Sequence, residues 1–195
     1  MNVIVNKQKI EVKNAQLYLG DMQIKTIGQI IGLDDLKELK VLTLFNNQIS
    51  SINKLDHLFN LEKLNLYGNF IEEITGLDNL TNLKTLYLSN NNIKKIKGLN
   101  QLKKLEVLSF EDNFIKKIEN LNHLTNLREL NLFGNLISDL EGLETLDKLV
   151  SLRIGQNPIL DEMLKKVGGI DNRGYAVNPQ ECVKYCRINK RINNR

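Results

Sequence analysis

No apolar run in the sequence approaches the roughly 18 residues that a membrane-spanning helix needs, although 42% of its 195 residues are hydrophobic. The start, Met1-Asn-Val-Ile-Val-Asn6, lacks a basic region followed by a long apolar segment, so it does not read as a secretory signal. Cysteine is nearly absent. Cys182 and Cys186 are four residues apart; on one helix they share a face, but without the close β-carbon approach that a bridge requires. No disulfide framework follows, which fits a reducing compartment and a cytoplasmic location. Histidine is as scarce: His57 and His123 lie far from the cysteines, so a Cys/His zinc site is poorly supported. There is also no glycine-rich phosphate loop, no metal-ligand cluster and no nucleophile beside a base. The expectation is a protein that is not an enzyme, with no cofactor and no small-molecule substrate.

Charge of one sign is missing from most of the chain. The formal net charge is +4. From Gln180 onward, Lys184, Arg187, Lys190, Arg191 and Arg195 face the single acidic residue Glu181, and residues 1–179 carry as many acidic as basic side chains. The excess is a basic tail, which is weak evidence for nucleic acid.

What the chain does have is a repeat. Leu83, Leu86, Leu88 and Ile93 occupy the first, fourth, sixth and eleventh places of a pattern with Asn91 at the ninth, and the pattern also starts at Leu39, Leu61, Leu105, Leu127 and Leu149, each 22 residues from the next. An irregular copy starts at Asn14, with Met22 where the others have asparagine, and runs 25 residues. Alternation in the first half of each unit, as in Leu64-Asn-Leu66, has the period of a strand. The second half is apolar at every third residue, as in Ile93, Ile96, Leu99 and Leu102. That spacing matches a 3₁₀ return. One such unit cannot bury its apolar side alone, but a stack can. Asn47, Asn69, Asn91, Asn113, Asn135 and Asn157 stand where the chain turns inward and leaves backbone groups without ladder partners. An amide offers two donors and an acceptor to satisfy them, so these six are structural.

This pattern resembles the leucine-rich repeats over about residues 14–159. The 22-residue length looks like the subclass found in bacterial internalins and in a eukaryotic regulatory subunit of protein phosphatase 1. The resemblance implies an α/β fold: a right-handed leucine-rich-repeat solenoid, with a parallel β-sheet on the concave face and short 3₁₀ or helical returns on the convex face. It implies no single partner, because this fold hosts many.

A single domain is expected. Residues 1–13 alternate apolar and polar and read as an N-terminal cap, followed by seven repeats over 14–159. Residues 160–188 read as a helical C-terminal cap, in which Leu160, Met163, Leu164 and Val167 face the last rung and a second helix starts with Asn178 as its cap, Pro179 in the first turn and Glu181 reaching back. Residues 189–195 are expected to fray.

Places three, five and seven of each strand point to the concave face. Tyr18, Phe45, Tyr67, Tyr87 and Phe133 fall there, five of the eleven aromatics. With rungs about 4.8 Å apart, Phe45 should stack beside Tyr67, with Tyr18 and Tyr87 diagonal to them. Thr43, Asn65 and Asn131 share the surface, Glu111, Asp112 and Glu129 surround Phe133, and Arg153 follows. A contiguous aromatic patch is typical of protein interfaces, so the partner expected is a protein, bound by a scaffold or regulatory subunit. The alternative is polyanion binding, to nucleic acid or an anionic membrane, through the tail and a second cluster. In that cluster Lys94 and Lys95 stack over Lys116 and Lys117, near Lys97, Lys103 and Lys104, with Glu72 and Glu73 one rung before and Asp139 one rung after. Alternating signs of this kind usually mark a solvated face with weak ion pairs, which makes nucleic acid or membrane the weaker reading.

Overall fold

A computed structural model describes residues 1–193. Seven three-residue strands lie side by side in one parallel sheet: β3 (Gln16–Tyr18), β4 (Val41–Thr43), β5 (Lys63–Asn65), β6 (Thr85–Tyr87), β7 (Val107–Ser109), β8 (Glu129–Asn131) and β9 (Ser151–Arg153). They pair in sequence order, and equivalent places stand directly beside one another, as in Leu64 with Leu86 and Asn65 with Tyr87. The leucines and isoleucines of the pattern are all buried, in one continuous core that runs the length of the stack. Phe110 fills a place held by Leu or Ile in the other repeats and is fully buried.

The returns differ in detail from a 3₁₀ helix. Among the described residues, only the long first repeat contains such helices, at Ile27–Gln29 and Leu33–Asp35. In the regular repeats the return is a pair of single turns, for example Leu80 N–H to the Leu77 carbonyl at 3.0 Å and Leu83 N–H to the Leu80 carbonyl at 2.9 Å. A spacing of three is therefore kept by successive turns that share an apolar residue, without a helical run between them.

The asparagine ladder closes the other bend. Asn91 accepts from the Ile71 amide (2.9 Å) and donates to the Leu66 and Leu88 carbonyls (3.0 and 3.1 Å), so it ties its own rung to the one before. Asn47, Asn69, Asn113, Asn135 and Asn157 repeat this arrangement. Met22 breaks the series where there is no earlier rung to tie, and its carbonyl accepts from the Asn6 side chain at 2.7 Å. Just before the asparagine, place eight is left-handed in every repeat, with φ from 49° to 66° at Asp21, Asn46, Gly68, Asn90, Asp112, Gly134 and Gln156. Gly, Asn and Asp tolerate that conformation best, which accounts for all but the glutamine.

Both ends of the core are covered. At the start, β1 (Asn2–Val5) and β2 (Gln8–Glu11) form an antiparallel hairpin that buries Val3 and Val5 and bridges Ile4 to Ile31. At the other end, α1 (Asp161–Lys166) and α2 (Pro179–Asn193) follow the last rung. Cys182, Val183 and Cys186 of α2 are buried, and Gln180 and Arg187 bond to carbonyls of the final return. Burial pushes the two thiols up, to about 11 at Cys182 and about 12 at Cys186.

Three details of this cap correct the sequence reading. Leu160 is 68% exposed and precedes α1 rather than facing the rung. The Glu181 carboxylate lies 3.7 Å from Lys184 on the next turn, while the helix start is closed by the Asn178 side chain, which accepts from Gln180 N–H at 3.1 Å. The stretch expected to fray is helical through Asn193; residues 194 and 195 lie outside the described residues.

Candidate partner-binding face

Strand register places the concave residues in three files across seven rungs. Tyr18 and Tyr67 stand out from this surface, 58% and 43% exposed. Tyr87 is half-buried, with the Lys63 ammonium 5.3 Å from its ring centroid. Asn65 and Asn131 stiffen the surface: each accepts a hydrogen bond from the backbone N–H two residues on, that of Tyr67 at 3.0 Å and that of Phe133 at 3.1 Å. Glu129 is exposed, while Thr43 is buried and presents little to a partner.

The two phenylalanines behave differently from a simple stack. Phe45 does not rise beside Tyr67; its ring covers Gly20, on the rung before, where a β-carbon would collide with it. Phe133 leans the other way, over Gly155 and Gly174. Each ring lies down because a neighbouring rung offers a glycine, and both are half-buried as a result. Asp112 leaves the face altogether. It occupies the left-handed place eight of its turn, with its carboxylate over Gly134.

The acidic and basic members of the face form one network. Arg153 pairs with Glu111 at 2.6 Å, Glu111 accepts from Asn131 at 2.9 Å, and the guanidinium lies 3.9 Å from the Phe133 ring centroid. The bond from Arg153 Nε to the Arg173 carbonyl, 2.9 Å, fixes the other side of the fork. A planar guanidinium held between a carboxylate and an aromatic face is preorganised, so a partner that uses it would lose little entropy there.

Tyr175 and Arg173 were absent from the sequence reading. They come from the loop before α2, where Tyr175 bridges Arg153 and so adds an eighth, partial rung to the face. Its ring centroid is 5.5 Å from the Arg153 guanidinium. The Asp171 side chain shapes this loop by accepting from the amides of Tyr175 and Arg173, both at 2.9 Å. Those bonds, the one from Tyr175 first, hold its carboxyl below the usual range. The Asx-turn composition of Asp171-Asn-Arg-Gly174 was a signal for a turn, but not for where the turn would dock. A shallow cavity of about 130 Å³ lies between Tyr87, Ser109, Asn131, Arg153 and Tyr175.

One rim of the sheet carries alternating charge at place two. Lys84 lies 2.8 Å from Glu62, and Lys40 lies 3.6 Å from Glu62 on the other side. The hydrogen bond and charge of Lys84 hold the Glu62 carboxyl below its ordinary value and lift the lysine above its own. His57 is half-buried beside the Leu33 carbonyl, His123 is exposed, and the two do not meet. Among the described residues, no group of three or more His, Cys, Asp or Glu is arranged to hold a metal ion.

The family model for leucine-rich repeats matches residues 37–79, 59–95, 81–123 and 125–166. The chain belongs to the leucine-rich repeat family. Among solved structures it is similar to the internalin inlF of Listeria monocytogenes, with 33% identity and a TM-score of 0.67 over 75% of this chain and 42% of that one. It is also similar to internalin C2 of the same organism, with 30% identity and a TM-score of 0.60 over 75% of this chain and 74% of that one. A third match is to the TLR13–ssRNA13 complex, with 34% identity and a TM-score of 0.58 over 63% of this chain and 19% of that one. The chain thus spans less than half of the inlF structure. No curated protein matches. Leucine-rich repeat solenoids typically serve as protein interaction modules and are generally non-catalytic.

Proposed function

We propose that this chain binds a protein partner through its concave face, as a scaffold or regulatory module of the cytoplasm. The observation that carries this reading is the pairing of two kinds of contact on one rigid sheet. Tyr18 and Tyr67 are exposed aromatics at its first rungs. The Arg153–Glu111–Asn131 network, flanked by Tyr175, sits at its last rungs. Aromatic and arginine side chains are the residue types that most often dominate interface energy. The face offers contact chemistry and no reacting group, and the two free thiols suit a reducing compartment.

The polyanion alternative through the tail is less well supported, because three of the tail cations already have partners. Arg187 meets Asp147 at 2.6 Å, Lys190 meets Glu144 at 3.7 Å and Lys184 meets Glu181.

Affinity purification from the source cell with mass spectrometry supplies the partner, and hydrogen-exchange footprinting of the purified complex supplies the surface. Protection is expected on β3 to β9, and Tyr18→Ala/Tyr67→Ala should weaken the complex at least tenfold with an unchanged melt. Protection on the convex returns alone, or full affinity in the double variant, rejects the concave reading.

A further inference from the structure

A second surface lies on the edge of the solenoid, beyond the asparagine ladder. At place ten, each backbone N–H donates to the rung before: Phe70 to the Ile49 carbonyl, Asn92 to Ile71, Phe114 to Ile93 and Leu136 to Ile115, at 2.8–2.9 Å. These bonds line up the place-ten side chains along the edge, one per rung, about 4.8 Å apart. In that file Phe114 and Leu136 are neighbours and are 47% and 45% exposed.

Together they floor an open groove of about 700 Å³ whose walls are Lys94, Lys95, Lys116, Lys117 and Glu119. Large apolar side chains on a surface ordinarily gain by being covered. Here they are held open beside four cations. Among the described residues, Lys117 alone of the four lies within ion-pair distance of a carboxylate, that of Glu141 at 3.9 Å, and Lys94, Lys95 and Lys116 form no ion pair.

The distribution of charge on this edge selects the occupant. The positive band is two rungs wide. Glu72 and Glu73 hold the same two places one rung before it, and Asp139 lies one rung after it. A bilayer or a nucleic-acid duplex laid along the edge would meet those carboxylates as well as the lysines. A short segment seated in the groove would meet four cations against one carboxylate, that of Glu119.

We propose that this groove docks an extended acidic peptide segment, with an aromatic or aliphatic side chain on Phe114 and Leu136 and flanking carboxylates on Lys94, Lys95 and Lys116. An extended chain advances about 3.3 Å per residue, so carboxylates within two or three residues of the anchor reach lysines on both rungs. This site is distinct from the concave face and could be occupied together with it.

The test is a degenerate octapeptide library in which every position holds Asp, Glu, Phe, Leu or Gly, passed over the immobilised full chain at low salt. The retained pool should be enriched in both carboxylates and Phe or Leu. Its affinity should fall at least tenfold in Lys94→Glu/Lys116→Glu and in Phe114→Ser, fall with added salt, and stay unchanged in Tyr18→Ala/Tyr67→Ala. Retention with the starting composition, retention enriched in carboxylates but not in Phe or Leu, or retention indifferent to the lysine and Phe114 substitutions overturns the proposal. So does tighter, lysine-dependent binding of phosphatidylserine vesicles or of an oligothymidine in parallel assays, which would assign the groove to a membrane or to nucleic acid.

Discussion

Replacing Asn91 with alanine isolates what one rung of the ladder contributes. Asn91 makes four hydrogen bonds, but their loss is not equivalent. The Leu66 carbonyl also accepts from Asn69, the Leu88 carbonyl from Asn113 and the Ser89 carbonyl from the Gly68 amide, so each keeps a partner. The Ile71 amide has Asn91 alone, and Ile71 is buried. The cost is therefore one orphaned buried donor, about 1–3 kcal/mol, plus about 1 kcal/mol for the vacated space.

For a chain of this length a total of about 2–4 kcal/mol lowers the melting temperature by about 4–16 °C. Asn91→Asp should be worse than Asn91→Ala, because a carboxylate can satisfy the Ile71 amide but puts charge against three carbonyls. Asn157→Ala should cost less, because Asn157 is only half-buried and water can take over its bonds. Urea unfolding followed by circular dichroism ranks the three variants, and amide exchange at Ile71 reports the orphaned donor directly. An Asn91→Ala variant within 0.5 kcal/mol of the parent (about the uncertainty of such a measurement) would refute the reasoning, as would an Asn91→Asp variant more stable than it.

Three further outcomes are expected. Gly20→Ala should cost about 1–3 kcal/mol because the new methyl collides with the Phe45 ring, and Phe45→Ala in the same chain should cancel most of that collision in a double-mutant cycle. Cys182 and Cys186 should react with Ellman's reagent at pH 8 only after unfolding, since their thiols stay protonated up to about 11 and 12. The same shift makes stability fall as pH rises above the ordinary thiol value of 9.0, because the unfolded thiols ionise first; melts between pH 8 and 10.5 read this out. Arg187→Ala removes the bonds from α2 to the Glu144 carbonyl and Asp147. It should accelerate labelling of Cys186 at pH 8, with a stability loss of about 1–3 kcal/mol.

The repeat made most of this molecule legible before any coordinates. A fixed 22-residue interval puts the same place of every repeat in one file, so burial of the leucines, the role of the six asparagines and the identity of the concave residues all follow from counting. Places five and seven were open to a different kind of error. Which way a ring lies depends on the size of the side chain on the adjoining rung: Gly20 drew Phe45 out of the stack expected with Tyr67, and Gly155 and Gly174 let Phe133 lie over them. Asp112 shows the same limit, since its left-handed φ of 52° takes it into the turn and away from the face.

Segments without the period could not be placed by counting at all. Tyr175 lies 22 residues after Arg153 along the chain, yet it joins the face through an antiparallel bridge in a loop that carries no repeat pattern. The lysine groove lies between these cases. Its residues were visible as a cluster, but the backbone bonds that line up Phe114 and Leu136 beside them form only between stacked rungs. Periodic local chemistry thus determined the core, the ladder and the order of the files. Side-chain packing between rungs and the docking of aperiodic loops, both long-range in the chain, decided which surfaces are open to a partner.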